Sequence, residues 1–281
     1  MQSGQPSRTA LGAAGHRAAH QVLEQGRIFR DPLALRILGP EADEAIRAAE
    51  ADPARRGLRL FIAVRTRFAE DALAAAIARG ATQLVVLGAG LDTYAYRADP
   101  AAGLRVFEVD HPATQAWKRE RLAEAGIAIP AALTFAPVDF ERESLAEGLA
   151  AAGFDPARRS FFTWLGVTPY LTEAAIFTTL GFIAGLPGGA EVVFDYANPP
   201  EAIEDPVRRA VHEELAARVA AAGEVFRGYL ETPSLHARLG ALGFAGIEDL
   251  GWVEVVARYF PDRTGATSGR GGGHVLRAAT R

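Results

Sequence analysis

The chain is 281 residues long, enough for one large domain or two small ones with a sizeable core. Thirty basic side chains against 34 acidic ones leave a formal charge of −4, which excludes the basic footprint of a nucleic-acid binder and a polybasic membrane patch. No cysteine is present, so disulfides, thiolate catalysis, iron–sulfur clusters and cysteine-ligated zinc are excluded, and a reducing cytoplasm suits the chain.

The first residues lack the continuous apolar stretch of a secretory signal, and no long uncharged apolar window predicts a spanning helix. Residues 1–80 read as helical, with helix starts at Asp31-Pro32 and Asp52-Pro53, because proline is tolerated in a first helical turn. Phe61, Val64, Phe68, Leu73 and Ile77 recur at helical spacing before Gly80, predicting one buried helix face. Short apolar runs follow at 83–87, 104–109, 133–138, 160–165 and 191–196, with helical stretches at 113–125, 145–152 and 173–184 between them. Strands alternating with helices predict an α/β fold with a mostly parallel sheet covered on both faces. Beyond lie a long helix at 205–222, an aromatic stretch at 225–230, a helix at 234–242 and late strands at 247–250 and 274–278. The glycine-rich run 264–273 reads as a mobile loop on composition. The expected organisation is a helical cap over 1–80 and a core over 81–281 with an insertion around 198–232, one structural domain overall.

In such a sheet ligands bind beyond the carboxyl ends of the strands. Gly88-Ala89-Gly90 follows the first run, where bare backbone admits a ligand. Asp110 lies 22 residues beyond Gly88, at the end of the second run, and suits ribose hydroxyls; together the two features predict a nucleoside-containing cofactor. Thr93 occupies the third glycine position of the dinucleotide fingerprint, which disfavours a pyrophosphate and leaves S-adenosylmethionine, which has none. Asp139-Phe140 after the third run fits an adenine, although an aspartate there equally suits a helix N-cap. An NAD-dependent oxidoreductase is the alternative by fold, and a non-catalytic S-adenosylmethionine-binding protein is another. His16 and His20 have the i, i+4 spacing of a zinc helix, but Arg17 between them repels a metal, and no metal is expected.

The stretch Leu84 to Thr93, followed by Ala95-Tyr96-Arg97 and Phe107-Glu108-Val109-Asp110-His111-Pro112, resembles the leucine carboxyl methyltransferase family. It is nearest the bacterial branch that includes the tetracenomycin-type polyketide O-methyltransferase. Residues 6–11, 29–34, 65–68 and 164–172 are similar to that branch too. The resemblance implies a class I methyltransferase fold binding S-adenosylmethionine, with Gly88, Ala89 and Gly90 at the methionyl part, Asp110 at the ribose, Asp139 and Phe140 at the adenine and Gly166 at the fourth motif. It also implies a cap arginine on the methionyl carboxylate, Arg65 first and Arg67 in reserve. Leu165 stands where family members often carry an acid.

Methyl transfer from a sulfonium is an in-line displacement that rests on alignment and exclusion of water. A carboxylate acceptor needs only an orienting donor; a phenol is helped by a base. Tyr170 and Arg17 are the expected catalytic residues, and His20, Tyr196, Phe226 and Tyr229 the expected contacts to a small aromatic or polyketide-like acceptor.

Overall fold

Small side chains let the first helices approach one another closely. In the computed structural model, which describes residues 8–139, 143–221, 223–261 and 272–280, these helices are α1 (Arg8–Leu23), α2 (Ala34–Leu38), α3 (Glu41–Ala51) and α4 (Arg56–Ala78). Ala14 and Ala18, one turn apart on α1, are buried with Ile37, Leu38 and Ala42. A Cβ on Gly15 would stand 3.2 Å from that of Ala45. So closely packed a helix buries its polar residues as well: His16, Arg17 and His20 are all inside. Of the face expected on α4, Val64, Phe68 and Leu73 are buried, while Phe61 and Ile77 are half-buried. Asp52-Pro53 opens a single 3-10 turn, Pro53–Arg55, that runs into α4. The Asp31 carboxylate accepts the Leu33 N–H at 3.0 Å just ahead of α2.

The strands β1 (Gln83–Leu87), β2 (Arg105–Asp110) and β3 (Leu133–Pro137) follow, all parallel, with β2 in the middle. Val86 lies opposite Glu108, which in turn lies opposite Phe135. Every residue of β1 is buried, as in a strand covered on both faces. Helices α5 (Pro112–Glu124) and α6 (Leu145–Ala151) follow β2 and β3. With the cap helices these elements form the first of two compact units, Met1–Asp155. Within this unit the cap helices share a core with Leu91 beyond β1 and with Leu122 and Ile127 around the end of α5.

In the second unit, Pro156–Arg281, β4 (Ser160–Trp164) and β5 (Ala190–Ala197) are parallel and joined through α7 (Glu173–Ala184). After α8 (Pro206–Ala221) and α9 (Thr232–Ala241) come β6 (Phe244–Leu250), α10 (Trp252–Tyr259) and β7 (Gly273–Thr280). Strand β7 runs antiparallel to both β5 and β6. Parallel strands with helices between them give the expected α/β class. Helix α10 was not anticipated, although Trp252, Val255, Val256 and Tyr259 carry the i, i+3, i+4, i+7 signal. Most of the glycine-rich run, through residue 271, lies outside the described residues. Among the described residues no helix is long and apolar enough to cross a membrane.

Candidate functional site

The turn after β1 is built from two glycines in the left-handed region, Gly88 at φ 64° and Gly90 at φ 45°. There a β-carbon is strained, so the sequence Gly-Ala-Gly has a conformational reason. Gly88 and Ala89 N–H both donate to Val109 O, at 2.8 and 3.1 Å. Gly90 N–H donates to Asp110 Oδ2 at 2.5 Å, and His111 N–H donates to Oδ1 at 2.7 Å. The predicted glycines and the predicted acid therefore meet. Burial pushes the Asp110 carboxyl above the usual aspartate range, opposed by the Gly90 and His111 amides and by the Lys118 charge. His111 accepts the Ala113 N–H at 3.2 Å and caps α5. A Cβ at Gly90 would stand 3.0 Å from that of Ala10, so α1 closes over this turn.

Thr93 ties the same turn to the cap. Its hydroxyl, 1% exposed as a residue, donates to Asp31 Oδ2 at 2.7 Å and accepts from Arg97 Nε at 3.2 Å. A glycine in the third fingerprint position could make neither bond. Thr93→Val is expected to cost about 1.5–3 kcal/mol, the range for a buried bond to a charged group, read as a lower urea midpoint at unchanged slope.

The cap corrects two expectations, Arg17 and His20 at the acceptor, and sorts two others. Arg17, expected beside the acceptor, donates through Nη2 to Leu91 O and lies 3.6 Å from Asp31. In this structure it braces the glycine turn, because α1 is too tightly enclosed to present it outward. His20 is fully buried, with Nδ1 3.3 Å from Glu24, whose carboxylate also takes both Arg59 donors at 2.8 Å. Burial and the charges of Arg55, Arg59 and Arg65 lower His16 to about 4, so it is neutral at pH 7. Arg67 is exposed and bonded to Asp71 at 2.8 Å, a surface i, i+4 pair. Arg65 is half-buried on the face whose charges bear on His16.

Asp139 follows β3 half-buried, and its N–H donates to Glu143 Oε2 at 2.7 Å. It does not cap α6; Ser144 does. Phe140 lies outside the described residues.

In the second unit, Gly166 adopts φ 73° beyond β4, and its N–H donates to Asp195 Oδ1 at 2.5 Å. Asp195, 4% exposed on β5, is not among the residues the sequence singles out. An acid inside the apolar run Val-Val-Phe-Asp-Tyr was the signal. This turn thus has a carboxylate although Leu165 is apolar. Tyr196, expected at the acceptor, is corrected: it is 1% exposed, and its hydroxyl donates to Asp249 at 2.7 Å and pairs with Thr232 at 2.8 Å. Asp249 also holds His236 at 2.7 Å and His274 at 2.9 Å. Position in β5 turns Tyr196 toward β6 and β7, where this network consumes its hydroxyl.

Tyr170, Phe226 and Tyr229 do come together. Tyr170, in the turn after β4, packs at a tilt on Phe226 at 5.4 Å, and Phe226 meets Tyr229 edge-on at 6.4 Å. His212 of α8 completes the group, 6.2 Å from Phe226 and 5.6 Å from Tyr229. It was not singled out from the sequence, since one histidine on a polar helix carries no pattern. The aromatic stretch is pinned by backbone: Arg227 and Gly228 N–H donate to Pro169 O at 2.7 and 3.1 Å, and Leu230 N–H to Ala197 O at 2.9 Å. A Cβ on Gly228 would fall on Thr168 O and 2.8 Å from Leu171 O. Those atoms are main chain and cannot rotate away. Gly228→Ala is expected to cost about 1–3 kcal/mol in urea unfolding and to alter the near-ultraviolet circular dichroism of the tyrosines.

A family model described as "Leucine carboxyl methyltransferase" matches residues 10–184. The chain is 33% identical over 203 residues to the Bacillus subtilis protein named "Putative S-adenosyl-L-methionine-dependent methyltransferase YktD", a match covering 71% of this chain and 66% of that one. It is 36% identical over 189 residues to a Frankia alni protein of the same description, FRAAL3718, covering 63% and 64%. The chain thus spans a little under two thirds of these relatives' lengths. A crystal structure described as "a putative methyltransferase from Thermobifida fusca YX" shares the fold, with a TM-score of 0.58 over 100% of this chain and 97% of that one at 17% identity.

Proposed function

Because the chain belongs to the leucine carboxyl methyltransferase family, we propose that it transfers the methyl group of S-adenosylmethionine to a carboxylate or hydroxyl oxygen of a small aromatic molecule. The observation that carries this reading is the bond from Gly90 N–H to Asp110, 2.5 Å long, which sets a carboxylate against a turn of bare backbone. Each Asp110 oxygen accepts one amide and keeps a second lone pair, which suits the two hydroxyls of a ribose. Gly88, Ala89 and Gly90 would lie along the methionyl part, Arg65 would meet its carboxylate, and Asp139 would accept from the adenine amino group. When bound, the cofactor supplies an electrophilic methyl group on a sulfonium.

The chain's own residues orient the acceptor and keep water out. The rings of Tyr170, Phe226 and Tyr229 support an aromatic acceptor, offering flat apolar surface beside polar tips. The names carried by YktD and FRAAL3718 point to the same cofactor. The buried Thr93–Asp31 bond weighs against a dinucleotide, whose helix approach wants glycine there.

Calorimetric titration with S-adenosylmethionine, S-adenosylhomocysteine and NAD tests the reading. Binding of both adenosyl ligands and not of NAD is expected. NAD binding in their place would make the chain an oxidoreductase, and adenosyl binding without transfer to any phenol or aromatic acid would make it a binding protein.

A further inference from the structure

Resting on that reading, we infer that His212 is the general base for an aromatic hydroxyl acceptor, seated among the rings of Tyr170, Phe226 and Tyr229. The imidazole packs against Phe226 and Tyr229, and Phe226 in turn against Tyr170. All four rings are half-buried, so the group is neither sealed core nor open surface. Strand ends set two of its members: the turn after β4 carries Tyr170, and a bridge to Ala197 at the end of β5 fixes Tyr229. The carboxyl ends of parallel strands are where such folds place ligands.

Nε2 of His212 is buried and has no hydrogen-bond partner among the described residues. A polar atom left in that state is costly, about 1–3 kcal/mol on general grounds. A planar molecule slipped between these rings would bring an edge hydroxyl to the nitrogen and give it the partner it lacks. The imidazole is also in the right state to accept a proton. Burial lowers it below the usual histidine range; Glu213 on its own helix pulls the other way and is outweighed. The titratable group packed on it from the neighbouring segment, Tyr229, is held above the usual tyrosine range by burial and by Glu201, and stays a neutral phenol. His212 is therefore uncharged at pH 7, as a base must be.

The step balances simply. The acceptor oxygen forms a bond to the methyl carbon as the carbon–sulfur bond breaks, the electron pair stays on sulfur, and the hydroxyl proton passes to Nε2. The imidazolium then gives that proton to water. A carboxylate acceptor, already ionised, would have no use for such a nitrogen, so His212 also narrows the acceptor to a phenol-like hydroxyl.

The test uses 2-naphthol and 2-naphthoate as probes with the whole protein, in wild type, H212F and H212Q. Phenylalanine keeps the ring contacts and removes the nitrogen; glutamine keeps a polar group and removes the base. In wild type, 2-naphthol should shift the imidazole nitrogen resonances assigned to His212 by their absence from H212F, a readout that needs no cofactor. Turnover of 2-naphthol at pH 7 should fall about 10²-fold or more in both variants. Their rates should then climb with pH toward the ionisation of the naphthol itself, while S-adenosylmethionine affinity stays within about twofold by calorimetry. The inference is overturned by unmoved His212 resonances, by naphthol that binds but is not methylated, by variants with the wild-type rate or pH profile, or by preferred methylation of 2-naphthoate. Wild type that binds no S-adenosylmethionine would sink the methyltransferase reading instead, with the naphthol resonance shift still deciding what His212 touches.

Discussion

Replacing Asp110 by alanine should weaken S-adenosylmethionine binding by about 10²-fold or more, and by more than any other single change at the glycine turn. The carboxylate has two tasks. It fixes the turn through the N–H groups of Gly90 and His111, at 2.5 and 2.7 Å. Its remaining lone pairs are the acceptors a ribose would use. A hydrogen bond to a charged group contributes about 1.5–3 kcal/mol, so losing two to the ligand accounts for a fall of two to four orders of magnitude. Asp110→Asn should come close to alanine, because the amide turns an NH₂ toward one of the two backbone N–H groups. Calorimetry on the three proteins gives the answer, and an affinity unchanged in Asp110→Ala would remove the ribose role. The same carboxyl sets a pH dependence. Burial raises Asp110 above the ordinary aspartate range, so protonation begins at a higher pH than usual. Affinity should therefore decline on acidification earlier than an exposed aspartate would require.

Lys118 is the one lysine among thirty basic residues, and changing it should destabilise the protein more than any other surface-like substitution in α5. It is not at the surface. Its Nζ lies 2.6 Å from Glu108 Oε2, and both side chains are 1% exposed. Tyr96 OH donates to the same oxygen at 3.2 Å, and its ring lies 5.2 Å from the ammonium. Lysine brings a compact point charge to this buried site, where arginine would bring a larger planar guanidinium. Lys118→Met leaves Glu108 buried without its counter-ion, a change of about 3–5 kcal/mol, or a fall in Tm of roughly 10 °C for a chain of this size.

Burial already lifts Glu108 to about 7 from the ordinary 4.5, even with the ammonium beside it. Folding therefore takes up a proton between those values, and the Glu108 contribution to stability is fullest below 4.5 and is lost as pH rises through 7. Without Lys118 the carboxyl climbs further, so the deficit should be wider at pH 8 than at pH 6. Glu108→Gln with Lys118→Met should restore most of the loss, since a neutral pair of similar shape leaves no buried charge. Thermal unfolding of wild type, single and double variants at the two pH values decides it. A Lys118→Met protein as stable as wild type at pH 8 would mean that the pair is solvated in solution. Lys118 also helps keep Asp110 ionised, so the single variant should lose cofactor affinity on acidification sooner than wild type.

Local chemistry by itself determined a good deal. Apolar runs of strand length alternating with helical stretches placed β1 to β5, α5 to α7 and the α/β class, because a parallel strand covered on both faces is apolar almost throughout. That Gly88, Gly90 and Asp110 share one turn was legible too: a left-handed turn wants glycine, and the acid ending the next strand accepts its Gly90 N–H. Tertiary structure decided the rest, because a side chain's partner depends on which element packs over it. Arg17 and Tyr196 have the right chemistry for an acceptor, but α1 is enclosed by neighbouring helices and β5 faces the Asp249 network, so both are spent on internal bonds. Thr93 reads as a missing glycine until Asp31 is seen to take its hydroxyl. His212 carries no period or spacing at all, and Asp195 only its place inside an apolar run. They become visible when a distant aromatic segment folds onto one and the turn after β4 onto the other, since contacts between residues far apart in sequence leave no local trace.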